Sequence, residues 1–310
     1  MITTVTMNAS LDKAYFMDEK IENGTVMRVR ESRTSAGGKG VNVARVIKIC
    51  GQEVQATGLV GGFNGKQLEA LMEQDEIRHA FIHADGETRC CINILDSEYG
   101  STEYLEPGFK VSEKEKQEFL REFPEIIKNS SVVTISGNIP RGLPKDIYAT
   151  MITIAKSMGK VVILDSSGEP LKAGLEAHPD MIKPNQDEME QLFQTKIQNQ
   201  EEVIQYAKKL QQEYKIPYVV VSLGKAGSLL VSKENVYLAK VPKLEVVNTV
   251  GCGDSMVGGF AVALERGYEA KEALRYASAV ASANAMSPNT GKFETEQCEE
   301  ILEQIEIEEY

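Results

Sequence analysis

Runs of apolar, β-branched residues alternate with helical patterns through the middle of this chain, and that alternation limits the fold more than any other feature. Val132-Val133-Thr134-Ile135 leads to a helical pattern from Asp146 to Met158, and that leads to Val161-Val162-Ile163-Leu164. Glu201 to Tyr214 then reads as a helix and Tyr218-Val219-Val220-Val221 as the next strand. Strands that are apolar on both faces must be covered on both faces, as helices cover a parallel α/β sheet. Ligands of such sheets bind beyond the carboxyl ends of the strands. Those ends carry Ser136-Gly137-Asn138, Asp165-Ser166-Ser167, Lys183-Pro184-Asn185 and Ser222-Leu223-Gly224, which predicts one polar crevice. Two segments break the rhythm: residues 14–33 and 89–104 read as short strands with turn residues such as Asn23-Gly24 and Tyr99-Gly100. They are expected to form a small β-sheet lid that excludes water from the crevice. No repeat, low-complexity tract or Pro/Ser-rich linker divides the sequence, so residues 1–310 are expected to be a single domain with this lid.

Charge and cysteine usage narrow the function classes. A formal net charge of −12 opposes general attraction to nucleic acid or to an anionic membrane, so neither is an expected partner. An anionic substrate would need a local cluster of Lys and Arg. No uninterrupted apolar run approaches the roughly 18 residues of a membrane span, and Met1 to Thr6 reads as a strand rather than a targeting segment. The chain therefore reads as cytoplasmic. Its five cysteines have no C-x-x-C spacing and are expected to be reduced thiols. His79, His83 and His178 have no paired spacing that suggests zinc.

The chemistry centres on Thr249-Val250-Gly251-Cys252-Gly253-Asp254-Ser255, which runs into the apolar stretch Met256 to Leu264. Two glycines at a helix start let backbone N–H groups converge on an anion, and the helix end adds partial positive charge. An acid at that spot would repel a bound phosphate, unless it accepts the proton of a hydroxyl attacking that phosphate. This reading gives a small-molecule kinase with Asp254 as base; the alternative makes Asp254 an N-cap. Cys252 is the one candidate for a reactive thiol, because helix N-termini lower thiol pKa, or else it fills a small-residue slot.

Ala36-Gly37-Gly38-Lys39-Gly40-Val41-Asn42 precedes a helix with Val43, Val46, Ile47 and Cys50 on one face. Its glycines permit close backbone approach to a ligand, Lys39 offers charge and Asn42 both donors and acceptors; a tight turn is the alternative. It is not a Walker A loop, since Gly40 stands where Ser or Thr should follow the lysine. Gly58 to Gly65 is a weaker glycine loop without the acid that a dinucleotide site needs about 20 residues on, and reads mainly as a turn. Asp12 suits sugar hydroxyls or turn chemistry. Arg28, Lys39 and Arg89 are the candidates for a phosphate carried by the substrate. Asn185 and Glu188, three apart on an opening helix turn, suit a hydrated Mg²⁺ bound to ATP, or simply a capped helix with an acidic first turn.

Taken in order, these motifs resemble the PfkB-type carbohydrate kinases of the ribokinase-like superfamily. The resemblance covers essentially the whole chain. It rests on Ser10-Leu11-Asp12, Ala36 to Arg45, Ser136 to Gly142, Leu164 to Glu169, Ile182 to Asn185, Ser222 to Gly227 and Thr249 to Ser255. It implies a Rossmann-like, mostly parallel sheet flanked by helices, with a β-sheet lid often used for dimerisation. It implies Asp254 as base, Gly251, Cys252 and Gly253 as anion hole, and Asp12, Gly37, Gly38, Asn42 and Asn138 around the sugar. It further implies ATP contacts from Asn185, Ser222, Gly224, Gly227 and Asn284, with Asn185 and Glu188 near the metal. Cys252 stands where the family usually has Ala or Ser, and Asn138 where it commonly has Ser. Lys39 and Arg89 look like the hexose-phosphate branch, which includes tagatose-6-phosphate kinases and 1-phosphofructokinases. His79-Ala80-Phe81 and Gly86 to Ile92 look more like the former. The expected reaction is phosphorylation of a ketohexose monophosphate by ATP, tagatose 6-phosphate first and fructose 1-phosphate as the alternative, with Arg28 reaching across a dimer. A sensor that keeps the pocket without transfer is the rival from another class.

Overall fold

The computed structural model describes residues 1–310. The chain opens with β1 (Ile2–Thr6), crosses into β2 (Ser10–Phe16) and β3 (Glu31–Gly37), and returns through α1 (Lys39–Ile49) to β4 (Val54–Val60). Helix α2 (Gly62–Gln74) and β5 (Arg78–His83) follow, then β6 (Arg89–Asp96), β7 (Gly100–Leu105) and α3 (Glu113–Ile127). The regular α/β alternation then runs β8 (Val132–Ser136), α4 (Ile147–Ser157), β9 (Val161–Asp165), α5 (Gly168–Leu175), β10 (Met181–Ile182), α6 (Gln186–Phe193), α7 (Gln200–Tyr214) and β11 (Tyr218–Ser222). The last third adds β12 (Ser228–Val231), β13 (Val236–Lys240), α8 (Cys252–Glu265), α9 (Ala270–Met286), α10 (Thr295–Gln304) and β14 (Glu306–Glu309).

Ten strands form one sheet in the order β14-β13-β12-β11-β10-β9-β8-β1-β4-β5, parallel from β5 to β11 and antiparallel from β11 to β14. The architecture is the expected mostly parallel sheet flanked by helices. No helix is long and apolar enough to cross a membrane. Successive strand residues feed opposite faces, as the two-residue period requires. Ile2, Val132, Ile163 and Val220 enter the core under α1, α8 and α9, whereas Val5, Val133, Leu164 and Val221 enter the core under α3, α4 and α7. On the α8 side the same alternation turns polar toward the strand ends, where Thr6, Ser136, Asp165 and Lys183 are all buried. The register sets Ser136 beside Asp165, so this polar layer forms a floor under the start of α8.

Strands β3-β2-β6-β7 form a separate four-stranded sheet. Its β2 starts at Ser10 and its β3 ends at Gly37, so Asp12 lies on a strand rather than in a loop. The Asn23-Gly24 turn sits within a long irregular connection from Met17 to Arg30, not in a tight hairpin.

Candidate active site

Helix α8 starts without a side-chain cap, and Gly251 holds the left-handed conformation at its N-cap (φ 80°). The backbone N–H groups of Gly251, Gly253 and Asp254 make no hydrogen bond within the chain, leaving three donors at a positive helix end. Lys183 lies directly beneath, almost fully buried, and a Cβ on Gly253 would come within 3.2 Å of its Nζ. Asp165, fully buried at the end of β9, pairs with both lysines of the floor: Lys183 at 3.4 Å and Lys39 at 3.2 Å. Burial favours the neutral acid, but the two cations prevail and hold the Asp165 carboxyl below its usual range. Lys39, beside Asp165, Asp254 and Glu188, is held firmly protonated.

Asp254 is not an N-cap. Its carboxylate turns inward and accepts a hydrogen bond from Asn42 Nδ2 at 2.9 Å. Burial pushes its pKa up to about 6, and the Lys39 charge is the main opposing influence. A carboxylate so placed is ionised at neutral pH yet more basic than an ordinary aspartate, which suits a proton acceptor.

Asp12 on β2 accepts a bond from Ser10 Oγ at 2.7 Å, and burial raises its pKa against the pull of Arg89 and Arg45. Gly37 faces it across the small sheet, and any Cβ there would overlap the Asp12 carboxylate. Gly38 has φ 101°, a conformation that favours glycine at the turn into α1. Arg89, at the start of β6, is steadied by the carbonyls of Asn8 (3.2 Å) and Glu106 (3.1 Å). Asn138 is exposed after β8, and its carbonyl accepts from Tyr148.

On the other side of α8, a cleft of about 620 Å³ is lined by Asn185, Asn199, Gln200, Ser222, Leu223 and Gly224. Gly227 closes the turn after Ser222 with φ 97°, and a Cβ there would overlap the Ala239 carbonyl. Asn185 and Glu188 form a reciprocal capping box on α6, with bonds of 2.8 and 2.9 Å, which leaves Glu188 Oε1 without a partner.

Three expectations change. Asn284 does not reach the cleft: it is fully buried, donating to the Val250 carbonyl at 3.1 Å and accepting from Gly291 N–H at 2.7 Å, so it braces the loop before α8. Cys252 leaves the expected anion hole, because its N–H donates to the Thr249 carbonyl at 3.3 Å, and burial raises its thiol pKa, as fits a residue filling a small slot. Lys39 is not grouped with Arg89 and Arg28: it pairs with Asp165 at 3.2 Å and feels the charges of Asp254 and Glu188, which places it on the α8 side of the floor. Arg28, whose expected role lies across a dimer, is exposed on the connection between β2 and β3 and has no partner within the chain. Three residues of the site escape sequence reasoning: Lys183 and Asp165 as a buried ion pair, and Arg45. Their only sequence signal is charge placed at the end of an apolar strand or on the inner face of a helix.

The model of the pfkB family of carbohydrate kinases matches residues 5–297. The chain belongs to that family. This pfkB kinase is 39% identical over 309 residues to a tagatose-6-phosphate kinase of Staphylococcus epidermidis, covering 99% of both chains. Its structure is similar to that of Escherichia coli phosphofructokinase-2 in complex with potassium, with a TM-score of 0.92, 30% identity and 98% of both chains covered. A possible 1-phosphofructokinase of Thermotoga maritima gives a TM-score of 0.88 at 26% identity, over 100% of this chain and 99% of that one.

Proposed function

We propose that this carbohydrate kinase transfers the γ-phosphoryl group of ATP to the primary C1 hydroxyl of tagatose 6-phosphate, giving tagatose 1,6-bisphosphate and ADP. The observation that carries this reading is the open amide cradle of α8 with the inward, Asn42-bonded Asp254 beside it. Identity of 39% to tagatose-6-phosphate kinases favours this sugar over fructose 1-phosphate.

The hydroxyl oxygen bonds to the γ-phosphorus as the bond from that phosphorus to the β-bridging oxygen breaks, and Asp254 takes the hydroxyl proton. The amides of Gly251, Gly253 and Asp254, with Lys183 and Lys39 below, stabilise negative charge on the transferring group. Gly37 and Gly38 let the backbone approach the sugar, while Asp12, Asn42 and Asn138 orient its hydroxyls. Arg89 receives the 6-phosphate. Asn185, Ser222, Gly224 and Gly227 frame the nucleotide. The free oxygen of Glu188 suits a Mg²⁺ that arrives with ATP and is met through water; the ion would neutralise phosphate charge.

The four-stranded sheet is read as the lid of a single kinase domain in the cytoplasm. Its exposed Val26, Val29, Tyr104 and Leu105 suit a homodimer through the lid, from which Arg28 would reach a neighbouring site. The test is ADP release with MgATP and, side by side, tagatose 6-phosphate, fructose 1-phosphate and fructose 6-phosphate. Tagatose 6-phosphate is expected to be preferred. Preference for fructose 1-phosphate would overturn the sugar assignment, and sugar binding without ADP release would favour the sensor.

A further inference from the structure

Arg45 carries a full charge yet is 3% exposed, on the inner face of α1 and away from any substrate contact assigned above. Its guanidinium makes three directed hydrogen bonds. Nε donates to Asp75 Oδ2 at 2.9 Å, Nη2 to the Ala36 carbonyl at 2.8 Å and Nη1 to Asn42 Oδ1 at 3.2 Å. The last of these decides the orientation of the Asn42 amide. With Oδ1 held by a cation that can only donate, the Nδ2 side must face Asp254, and it does so at 2.9 Å. The Ala36 bond pins the end of β3 just before Gly37 and Gly38. Asp75 is held on its other oxygen by Lys292 at 3.1 Å, next to Gly291, whose N–H bonds to the brace Asn284.

We infer that Arg45 is a positioning residue for phosphoryl transfer: through Asn42 it fixes which carboxylate oxygen of Asp254 is occupied and leaves the other for the substrate hydroxyl. The inference rests on Asp254 being the base. Arginine is required because its rigid fork reaches three acceptors in one plane, whereas a lysine would keep the charge opposite Asp75 without ordering Asn42. Asp254 is also faced by Lys39 from α1, Asp165 from β9 and Lys183 beyond β10, none of which depends on Arg45. Losing the Asn42 donor raises the Asp254 carboxyl, so the acid limb of the rate profile must move to higher pH.

The test is kcat against pH for Arg45→Lys, with folding checked by thermal melting. The expected result is a roughly tenfold to hundredfold loss of kcat, as for a misplaced reacting group, an acid limb moved to higher pH and an unchanged KM for MgATP. A merely structural cation would be replaced by lysine, so wild-type kcat and an unmoved limb would overturn the inference. In an Asn42→Ala background Arg45→Lys should cost little more; a full multiplicative loss there would also overturn it, since Arg45 would then act by another route. If Arg45→Lys does not fold, Asp75→Asn, which keeps an acceptor for Nε but loosens the fork, should move the limb in the same direction, and an unmoved limb counts against the role. Asp254→Asn separates the two readings: turnover retained in that variant removes the base itself, whatever Arg45→Lys does.

Discussion

Helices α2 and α8 both begin at glycines, and of these two only α8 has its N-terminus open to a ligand. At α2 the N–H of Gly61 donates to Thr88 Oγ1 at 2.9 Å, and the Glu87 carboxylate accepts from Asn64 N–H and crowds Gly62. The chain has placed its own anion where a phosphate would sit. At α8 no side chain caps the helix, three N–H groups stay free, and the nearby acid is turned away and held by Asn42. Glycine-rich helix starts are thus common property; what makes one a site is that its donors are left unpaired while a cation and a base are buried around it.

Breaking the open end should have the largest effect. Asp254→Asn keeps the shape and removes the base, so kcat should fall by roughly 10²- to 10⁴-fold with a smaller change in substrate binding. Steady-state kinetics check this, and near-normal turnover would take Asp254 out of its role. The floor comes next. Asp165→Asn leaves Lys183 buried without its counter-ion, and should cost about 3 kcal/mol of stability. Counting only the buried lysine, and not the half-exposed Lys39, that is a fall in Tm of about five degrees. Calorimetry showing no loss would mean that Lys183 finds another partner.

Titration sharpens the contrast at intermediate scale. The raised pKa means that Asp254 binds its proton more tightly than an ordinary aspartate, and the base is active only when ionised. Turnover should therefore hold above a pH of about 6 and fall roughly tenfold per unit below it. An acid limb near that of a free carboxylate would argue against burial as the controlling influence. The closed end should respond least: Glu87→Ala removes a cap worth about 1 kcal/mol and should lower Tm by a few degrees. Its kcat should stay at the wild-type value, and a large loss there would mean that α2 also meets substrate.

The sheet and its order of chemistry were legible because they are written locally. Val161-Val162-Ile163-Leu164 ends in Asp165 and Tyr218-Val219-Val220-Val221 in Ser222, so the polar ends of strands announce themselves. Asn185 and Glu188 carry a capping-box spacing, and the capped helix is what forms. Long-range pairings were not legible. Nothing local in Ile182-Lys183-Pro184 says that its lysine will meet Asp165 one strand away. Nor does the acidic Glu306–Glu309 announce a strand, since only pairing with β13 makes it one. Asn284 misleads for a similar reason: the family resemblance implied a ligand contact, while burial against Val250 and Gly291 makes it a brace.

Asp165 offsets part of the positive charge of Lys39 and Lys183 within the chain itself. An arriving triphosphate therefore gains only the excess of its own attraction over that of the carboxylate, and a departing nucleotide surrenders only that same excess. In the proposed reaction a floor arranged in this way would moderate the grip on reactant and product alike, while its remaining charge stays available to the phosphoryl group in transit between them. The shared carboxylate thereby favours release over residence.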